Sequence, residues 1–360
     1  MHKKLFIPGP VDVRPEVLKA MGTPMIGHRT KDATELQKSV SQKLQKVFHT
    51  ENPILLSTTS GTGLMEGSIR SLTAKRAVVF SVGAFGDRWA ELSESNNVPT
   101  DLVRSEWGQP TTPEMVDKYL STGKYDVFTI THNETSTSVM NPMEAIAEVK
   151  AKYPDVLWLV DSVSAMGGAK LEVDKLGIDV CITSTQKALG LPPGMSICSV
   201  TTKALKHGEQ VKYRGSYLDL LQLYEYVEKK PYQYPSTPSL SHMFALDYQL
   251  NYILNEEGLE NRYSRHLKMA EITRAWAKKH FDTFAAEGYQ SVTLTNVANT
   301  KGISVKDLIA RVGERGYLLA NGYGDMKEKT FRIAHMADTT IEELQEYLMV
   351  LEEEIAKLKS

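Results

Sequence analysis

Short apolar runs alternate with helical stretches between residues 54 and 206, and this alternation constrains the fold more than any other feature. The apolar runs lie at residues 54–57, 77–82, 127–131, 157–160 and 180–183. Helical stretches at residues 64–72, 88–94 and 143–152 separate them. Strands joined through helices form crossover units, which place parallel strands side by side and cover both sheet faces. The sequence therefore predicts an α/β fold with a mostly parallel central sheet covered by helices.

The alternation fades after about residue 206, and long helical patterns take over. Helices are predicted at residues 239–255 and 258–281, then a strand at 292–295 and a helix at 305–313. A final amphipathic helix begins after Thr340, which forms a capping-box pattern with Glu343. We predict a large α/β domain over residues 1–254, including an N-terminal segment, and a smaller C-terminal α+β domain over residues 255–360.

Composition and charge favour a small-molecule partner. The chain has 42 basic and 44 acidic residues without blocks of one sign, so we expect neither nucleic acid nor membrane as a partner. The two cysteines, Cys181 and Cys198, lie in apolar runs, which predicts buried thiols and a reducing compartment. The first apolar residues stop at Pro8, too early for a signal peptide. We expect a cytoplasmic protein that uses no metal ion.

Lys187 is the first candidate for chemistry. It follows the apolar run 180–183, and Gly190 and Pro192 prevent a helix from continuing beyond it. A partly desolvated lysine amine has a lowered pKa and can form an imine with an aldehyde. A lone lysine after a strand is more often a surface residue, so the assignment depends on its neighbours.

Asp161 closes the apolar run 157–160, at 26 residues before Lys187. A buried carboxylate needs a charged or hydrogen-bonding partner, and a protonated pyridine nitrogen would provide one. Ser60, Gly61 and Thr62 lie between a strand and a helix, where free backbone amides form an anion site. The ordinary alternatives are a helix cap at each place, or a dinucleotide loop at residues 59–63.

Phe85 and Thr135 also follow strands. Phe85 lies between Gly83 and Gly86, where its ring can lie flat against another ring. Thr135 belongs to the hydroxyl-rich segment 132–137. A packed phenylalanine and a polar loop are the plain structural interpretations of these two features.

Three motifs carry a family resemblance: Asp161-Ser162-Val163, Thr185-Gln186-Lys187 and Pro192-Pro193-Gly194. Together they resemble the class V aminotransferases that depend on pyridoxal phosphate, most closely the alanine–glyoxylate and serine–pyruvate branch. The resemblance runs from Pro8-Gly9-Pro10 to Phe331-Arg332-Ile333. It implies a fold-type I transferase in which Lys187 holds the cofactor as an imine and shuttles a proton, while Asp161 holds the ring nitrogen.

The resemblance also implies the remaining site residues. Arg332 would grip the substrate α-carboxylate, and Tyr234 and Thr237 would bind the cofactor phosphate across the interface of a homodimer with shared sites. The cofactor-binding residues implied are Ser60, Gly61, Thr62, Phe85, Thr135, Asp161, Gln186, Lys187, Tyr234 and Thr237. Relatives often have Ser, His and Trp where this chain has Thr185, Thr62 and Phe85, which concerns the substrate more than the reaction.

The expected reaction moves an amino group from serine or alanine to glyoxylate or pyruvate. His28 and Arg29 leave open a substrate with a second anionic group, such as phosphoserine or an aminoalkylphosphonate. A lyase of the cysteine-desulfurase kind would need a cysteine on a loop. A nicotinamide oxidoreductase has no use for Lys187, and a non-catalytic binding protein would not need Lys187 and Asp161 together.

Overall fold

The computed structural model describes residues 2–358. Its helices and strands, in chain order, are β1 (Lys4–Leu5), α1 (Pro15–Met21), α2 (Lys31–Phe48), β2 (Ile54–Ser57), α3 (Gly61–Leu72), β3 (Ala77–Ser81), α4 (Ala84–Ser95), β4 (Thr100–Arg104), α5 (Pro113–Leu120), β5 (Val127–Thr131), α6 (Met143–Lys150), β6 (Leu157–Asp161), α7 (Val173–Leu176), β7 (Val180–Ser184), β8 (Ser196–Val200), α8 (Thr202–Gly208), α9 (Leu220–Glu228), α10 (Leu240–Asn251), α11 (Leu259–His280), β9 (Asp282–Thr283), β10 (Leu294–Ala298), α12 (Val305–Glu314), β11 (Tyr317–Leu318), β12 (Ala320–Asn321), β13 (Thr330–Ala334) and α13 (Ile341–Leu358).

A seven-stranded sheet forms the centre of the larger part, with strand order β2-β8-β7-β6-β5-β3-β4. Only β8 runs antiparallel to its neighbours in this sheet. All residues of β2, β3, β5, β6, β7 and β8 are buried, because helices cover both faces. One layer contains α2, α5, α6 and α10, and the other contains α3, α4, α8 and α9. The predicted α/β fold with a mostly parallel sheet is confirmed.

The sequence pattern did not reveal the edge strand β4 or the helix α5. Strand β4 is only half-buried and contains Thr100, Asp101 and Arg104, so it has no continuous apolar run. Helix α5 begins with Pro113 after Thr112, whose hydroxyl accepts a hydrogen bond from the Met115 amide. An edge strand has one unpaired side and tolerates polar residues, which removes the apolar signal.

The smaller part has the four-stranded sheet β12-β13-β10-β9 and a core shared with α11, α12 and α13. The N-terminal strand β1 pairs in parallel with β11, and the Phe6 ring stacks on Tyr347 with centroids 3.9 Å apart. Residues 4–6 therefore pack on the smaller part, although they fall within the predicted large domain, residues 1–254. A two-residue strand carries no pattern that predicts its distant partner. We propose that the boundary between the two domains lies near residue 254 and that residues 4–6 belong to the smaller domain.

The connection between the two parts is a helix interrupted by a π-helical turn. Helix α10 ends earlier than predicted, and the π-helical turn Tyr252–Glu257 leads to Gly258, whose φ of 81° lies in the region that favours glycine. The capping box at α13 is confirmed: the Thr340 amide donates to Glu343 at 3.0 Å, and the Glu343 amide donates to Thr340 Oγ1 at 3.2 Å. Within residues 2–358, no helix is long and apolar enough to cross a membrane.

Candidate active site

The candidate residues follow five strands that run in the same direction. Strand β2 is parallel to β7 because β8 runs antiparallel to both. The carboxyl ends of β2, β3, β5, β6 and β7 therefore meet at one edge of the sheet. Ligands of such sheets bind at this edge. The structure thus brings the segments that contain Ser60, Phe85, Thr135, Asp161 and Lys187 to the same place.

Lys187 lies in a tight turn directly after β7. The Gly190 amide donates to the Lys187 oxygen at 2.9 Å, and Thr185 Oγ1 donates to the Pro192 oxygen at 2.7 Å, so the turn is closed by its own residues. Burial and the charge of Arg332 lower the pKa of Lys187 to about 8, although Asp161 acts in the opposite direction. A larger fraction of this amine is therefore neutral near pH 7 than for an ordinary lysine, and a neutral amine is the nucleophilic form.

Asp161 is buried at the end of β6, where its Oδ1 accepts a 2.9 Å hydrogen bond from the Val163 amide. Burial raises the pKa of this carboxyl to about 7, since the single backbone donor offsets only part of the cost of desolvation. No ion pair to Asp161 exists among the described residues. A cationic partner placed here would therefore restore the ionised carboxylate.

The first turn of α3 has backbone amides that no side chain caps in the described part of the chain. Ser60 is the N-cap residue directly before this helix, and its side chain caps no backbone amide. The first amides of a helix have no intrahelical acceptor, so those of Gly61 and Thr62 can face an anion. A Cβ atom on Gly61 would lie 2.8 Å from Val163 Cγ2, which brings this helix against the loop after Asp161. A side chain at residue 61 would fill the space between the two elements.

Glu134 holds the first turn of α4, which contains Phe85. The buried Glu134 carboxylate accepts hydrogen bonds from the amides of Phe85 at 3.0 Å and Gly86 at 2.9 Å, and also from Ser136. Burial raises the pKa of Glu134, and these donors oppose that rise. The Phe85 ring lies 5.6 Å from the ring of Tyr323 at an angle of 44°. Glu134 thus holds the start of α4 next to the segment 132–137.

Thr135 and Arg332 meet at the border between the two parts of the molecule. Arg332 lies on β13, where its Nε donates to the Asn321 oxygen at 3.0 Å and its Nη1 contacts the Thr135 oxygen at 3.4 Å. Nη2 has no hydrogen-bond partner among residues 2–358. Burial lowers the pKa of Arg332 to about 10, so it keeps its charge at neutral pH. The Thr135 hydroxyl contacts the Ser164 hydroxyl.

Tyr234 has a partner within its own chain, whereas the resemblance implies a role across a subunit interface. Its ring is buried in the apolar layer below α3, and its hydroxyl accepts a 3.2 Å hydrogen bond from the Thr58 amide. Thr237, three residues further on, is exposed. Arg29 donates to the Tyr234 oxygen at 2.6 Å and to the Gln233 side chain at 3.1 Å, so it holds this segment.

The remaining predicted residue, Gln186, accepts a 2.6 Å hydrogen bond from the Ser184 hydroxyl. Its backbone oxygen accepts from the Val11 amide at 3.3 Å, and the Lys187 amine donates to the Pro8 oxygen. A Cβ atom on Gly9 would lie 2.7 Å from Lys187 Nζ. The N-terminal segment 8–11 therefore forms a wall of the site. No local sequence pattern predicts this contact, because Pro8 and Lys187 lie 179 residues apart.

A cavity of about 250 Å³ adjoins this edge of the sheet. Its lining includes Gly83, Ala84, Ser136 and Tyr323. The Arg332 guanidinium lies 5.5 Å from the centre of the Tyr323 ring. Lys187, Asp161 and Arg332 do not line it. The cavity therefore lies beside the predicted catalytic residues rather than over them, between the large part and the segment that follows β12.

The fold and these residues define a fold-type I enzyme that depends on pyridoxal phosphate. Residues 15–346 match the sequence model of the family described as aminotransferase class-V, and the chain therefore belongs to the class V aminotransferases. It is 40% identical to an uncharacterised aminotransferase of Methanocaldococcus jannaschii, over 93% of this chain and 88% of the relative. It is 32% identical to a serine–glyoxylate aminotransferase of Arabidopsis thaliana, over 95% and 86% of the two chains.

A solved structure agrees with this assignment. The crystal structure of an alanine–glyoxylate aminotransferase from Nostoc sp. superimposes with a TM-score of 0.93 at 26% identity, covering 99% of this chain and 96% of that one. The predicted class, fold type and cofactor are confirmed. The nicotinamide and non-catalytic alternatives are therefore wrong.

The residues at the sheet edge fit pyridoxal phosphate chemically. We propose that the Lys187 amine would bind its aldehyde, the Asp161 carboxylate its ring nitrogen and the first turn of α3 its phosphate. Asp161 is a buried carboxyl whose pKa is raised to about 7 and which forms no ion pair within residues 2–358, and no side chain caps the first amides of α3. When bound, this cofactor withdraws electrons from the substrate α-carbon. The protein must then bind the substrate, exclude water and move one proton. We propose that the Lys187 amine moves this proton.

Proposed function

We propose that this enzyme transfers the amino group of a small neutral amino acid, serine or alanine, to a 2-oxo acid, glyoxylate or pyruvate. In this reaction the donor becomes the corresponding 2-oxo acid and the acceptor becomes an amino acid. Lys187 acts as the cofactor anchor and as the base that moves the proton. Asp161 keeps the cofactor ring positively charged.

The substrate class rests on one observation: within residues 2–358, Arg332 has a free nitrogen for a substrate carboxylate, whereas the donors of Arg29 are used within the protein. Arg332 keeps Nη2 available beside Thr135, so its planar fork can bind one carboxylate. Arg29 uses its donors on Gln233, Tyr234 and Ser236. One available guanidinium matches a substrate with one carboxylate and a neutral side chain. The names of the serine–glyoxylate and alanine–glyoxylate relatives support the same substrates.

A lyase of the cysteine-desulfurase kind has little support. Both thiols lie in buried strands, Cys181 in β7 and Cys198 in β8. Burial raises the pKa of each thiol, which removes the reactive thiolate. The two free, buried cysteines instead support a reducing compartment, and we propose the cytoplasm.

We also propose a homodimer in which Thr237 of one subunit reaches the cofactor phosphate of the other. Thr237 is exposed in the single chain and lies in the segment that Arg29 holds in place. An exposed hydroxyl on an anchored segment is available to a neighbouring subunit.

A half-reaction screen tests the substrate class. Amino acids are added one at a time to the purified enzyme, and the visible absorbance of the bound cofactor is followed. Serine or alanine should change this absorbance fastest. A faster change with phosphoserine or aminoethylphosphonate would overturn the small-substrate proposal. Borohydride reduction and peptide mapping should place the phosphopyridoxyl group on Lys187, and Lys187→Ala should abolish the label.

A further inference from the structure

Arg262 on α11 is a buried arginine that the site residues above do not include. Its side chain is fully enclosed, and three of its nitrogens make four hydrogen bonds. Nη1 pairs with Glu257 at 2.6 Å and with Asp338 at 2.8 Å. Such a guanidinium holds a fixed geometry, because its planar fork cannot rotate without breaking several contacts together.

The other two nitrogens of Arg262 bind the loops that carry the catalytic residues. Nη2 donates to the Ala188 oxygen at 2.7 Å, directly after Lys187. Nε donates to the Gly167 oxygen at 3.0 Å, in the loop that follows Asp161. One side chain therefore connects the loop after β6 with the loop after β7.

Asp338 contacts the same turn at a second point. A Cβ atom on Gly190 would lie 3.0 Å from Asp338 Oδ2 and 2.9 Å from Gln249 Nε2. Gln249 itself donates to Asp338 at 2.8 Å, and Arg14 pairs with Asp338 at 3.2 Å. The turn after Lys187 thus rests directly on this buried group of charges.

Asp338 also connects the group to the substrate-binding side. It follows β13 by four residues, and β13 carries Arg332. A buried ion pair is expensive to break, since each charge would be left desolvated and unpaired. If the segment after β13 shifts, Arg262 therefore moves with Asp338, and the Ala188 oxygen moves with Arg262.

We propose that Arg262 is a positioning residue that sets where Lys187 lies relative to the strand that carries Arg332. This inference rests on the proposed function, because it gives Lys187 and Arg332 their roles. Arg262 touches neither cofactor nor substrate. It acts through the backbone of Ala188 and through Asp338.

The test compares Arg262→Lys with Arg265→Lys as a matched control. Arg265 lies on the same helix and pairs with the same Glu257 at 2.7 Å, but its other donors bind the Ala337 and Thr339 oxygens and not the Lys187 loop. Both changes weaken the same buried charge group. Only the first removes the contacts to Ala188 and Gly167.

Two readouts separate positioning from general stability. Hydrogen exchange of the full chain without cofactor reports on the Gly190 amide, which is bonded to the Lys187 oxygen. The exchange rate of the Gly190 amide should rise about tenfold in Arg262→Lys, which is the effect of losing one hydrogen bond to a charged group. In the holoenzyme, the pH midpoint of the cofactor's visible absorbance should move by about half a unit or more, because Asp161 and Arg332 are unchanged while the Lys187 nitrogen moves.

Arg265→Lys keeps the contacts to Ala188 and Gly167 and acts on the Lys187 turn only through the segment that contains Asp338, so it should change each readout much less than Arg262→Lys does. The inference is overturned if the two variants behave alike, or if Arg262→Lys changes neither readout. If Arg262→Lys does not fold, Asp338→Asn is measured by the same criteria, since it keeps the side-chain shape and removes the charge that holds Arg262. Failure of wild-type amino transfer would reject the proposed function, whereas the exchange result would still decide the role of Arg262.

Discussion

The guanidinium of Arg29 donates a 2.6 Å hydrogen bond to the backbone oxygen of Tyr234. It also contacts the Ser236 oxygen at 3.4 Å and lies 5.7 Å from the Tyr226 ring. Arg29 therefore holds the segment that leads to Thr237. Arg29 therefore has a role in holding this segment, and its positive charge does not require a substrate with a second anionic group.

We predict that Arg29→Ala weakens cofactor binding by roughly 1 kcal/mol, because one charge-assisted hydrogen bond and the order of the Tyr234 segment are lost. The ratio of half-reaction rates for serine and phosphoserine should stay unchanged. Cofactor affinity is measured by absorbance titration, with Lys31→Ala as the control, since Lys31 makes only an exposed pair with Glu35 at 3.4 Å. A selective change toward or away from phosphoserine would return Arg29 to the substrate site.

A second prediction concerns the stability of the chain without cofactor. Burial raises the pKa of Asp161 from 3.8 to about 7. Between these values the folded chain holds a proton that the unfolded chain has lost, so this contribution to stability is complete below about pH 4 and is lost as pH rises through 7. Asp161→Asn removes the charge and should stabilise the cofactor-free chain at pH 8, by at most of the order of 4 kcal/mol.

Denaturant unfolding of the cofactor-free protein at pH 5 and pH 8 measures this difference. The gain from Asp161→Asn should grow with pH, whereas the same variant should lose most amino transfer when loaded with cofactor, because an amide cannot hold the ring nitrogen protonated. An Asn variant that is less stable at pH 8, or that keeps near-normal turnover, would mean that Asp161 serves only to bind the Val163 amide.

Arg332→Lys should lower kcat/KM for serine and for alanine by a similar factor, about 10-fold to 100-fold. An ammonium group cannot reproduce the planar fork, and the lost interaction is worth about 1.5 to 3 kcal/mol. Arg315→Lys is a suitable control, since Arg315 is exposed, pairs with Glu353 at 2.7 Å and does not line the cavity beside the site. A loss confined to one amino acid would assign Arg332 to side-chain selection instead of carboxylate binding.

Subunit mixing tests the proposed shared site. Lys187→Ala and Thr237→Ala should each be impaired, and exchange should restore about a quarter of wild-type activity, since half of the dimers are mixed and each has one intact site. Tyr234→Phe is mixed separately with Lys187→Ala. Restoration would place its hydroxyl across the interface, and no restoration would keep it in its own subunit, next to Thr58. If the Thr237→Ala mixture exchanges but never regains activity, Thr237 acts within one chain.

Much of the fold and several site positions could be predicted from local patterns. The apolar runs before Asp161 and Lys187 are strands β6 and β7, and the glycines and prolines after Lys187 form the predicted turn. These features depend on residues that are close in sequence. A strand that is buried on both faces of the sheet needs a continuous run of apolar side chains, which the sequence shows directly. The roles of Phe85, Thr135 and Arg332 came from the family resemblance, because each residue type has a common structural explanation.

By itself, therefore, the sequence determined the parallel sheet and the order in which the candidate residues follow its strands. Only the tertiary structure decided their partners: Pro8 against Lys187, Arg29 on the Tyr234 segment, and Arg262 between Ala188 and Asp338. A charged side chain can pair with any complementary group that packing brings near it. These contacts join residues that lie some 70 to 205 positions apart, and such pairing depends on how α11, β13 and the N-terminal segment pack rather than on any local pattern.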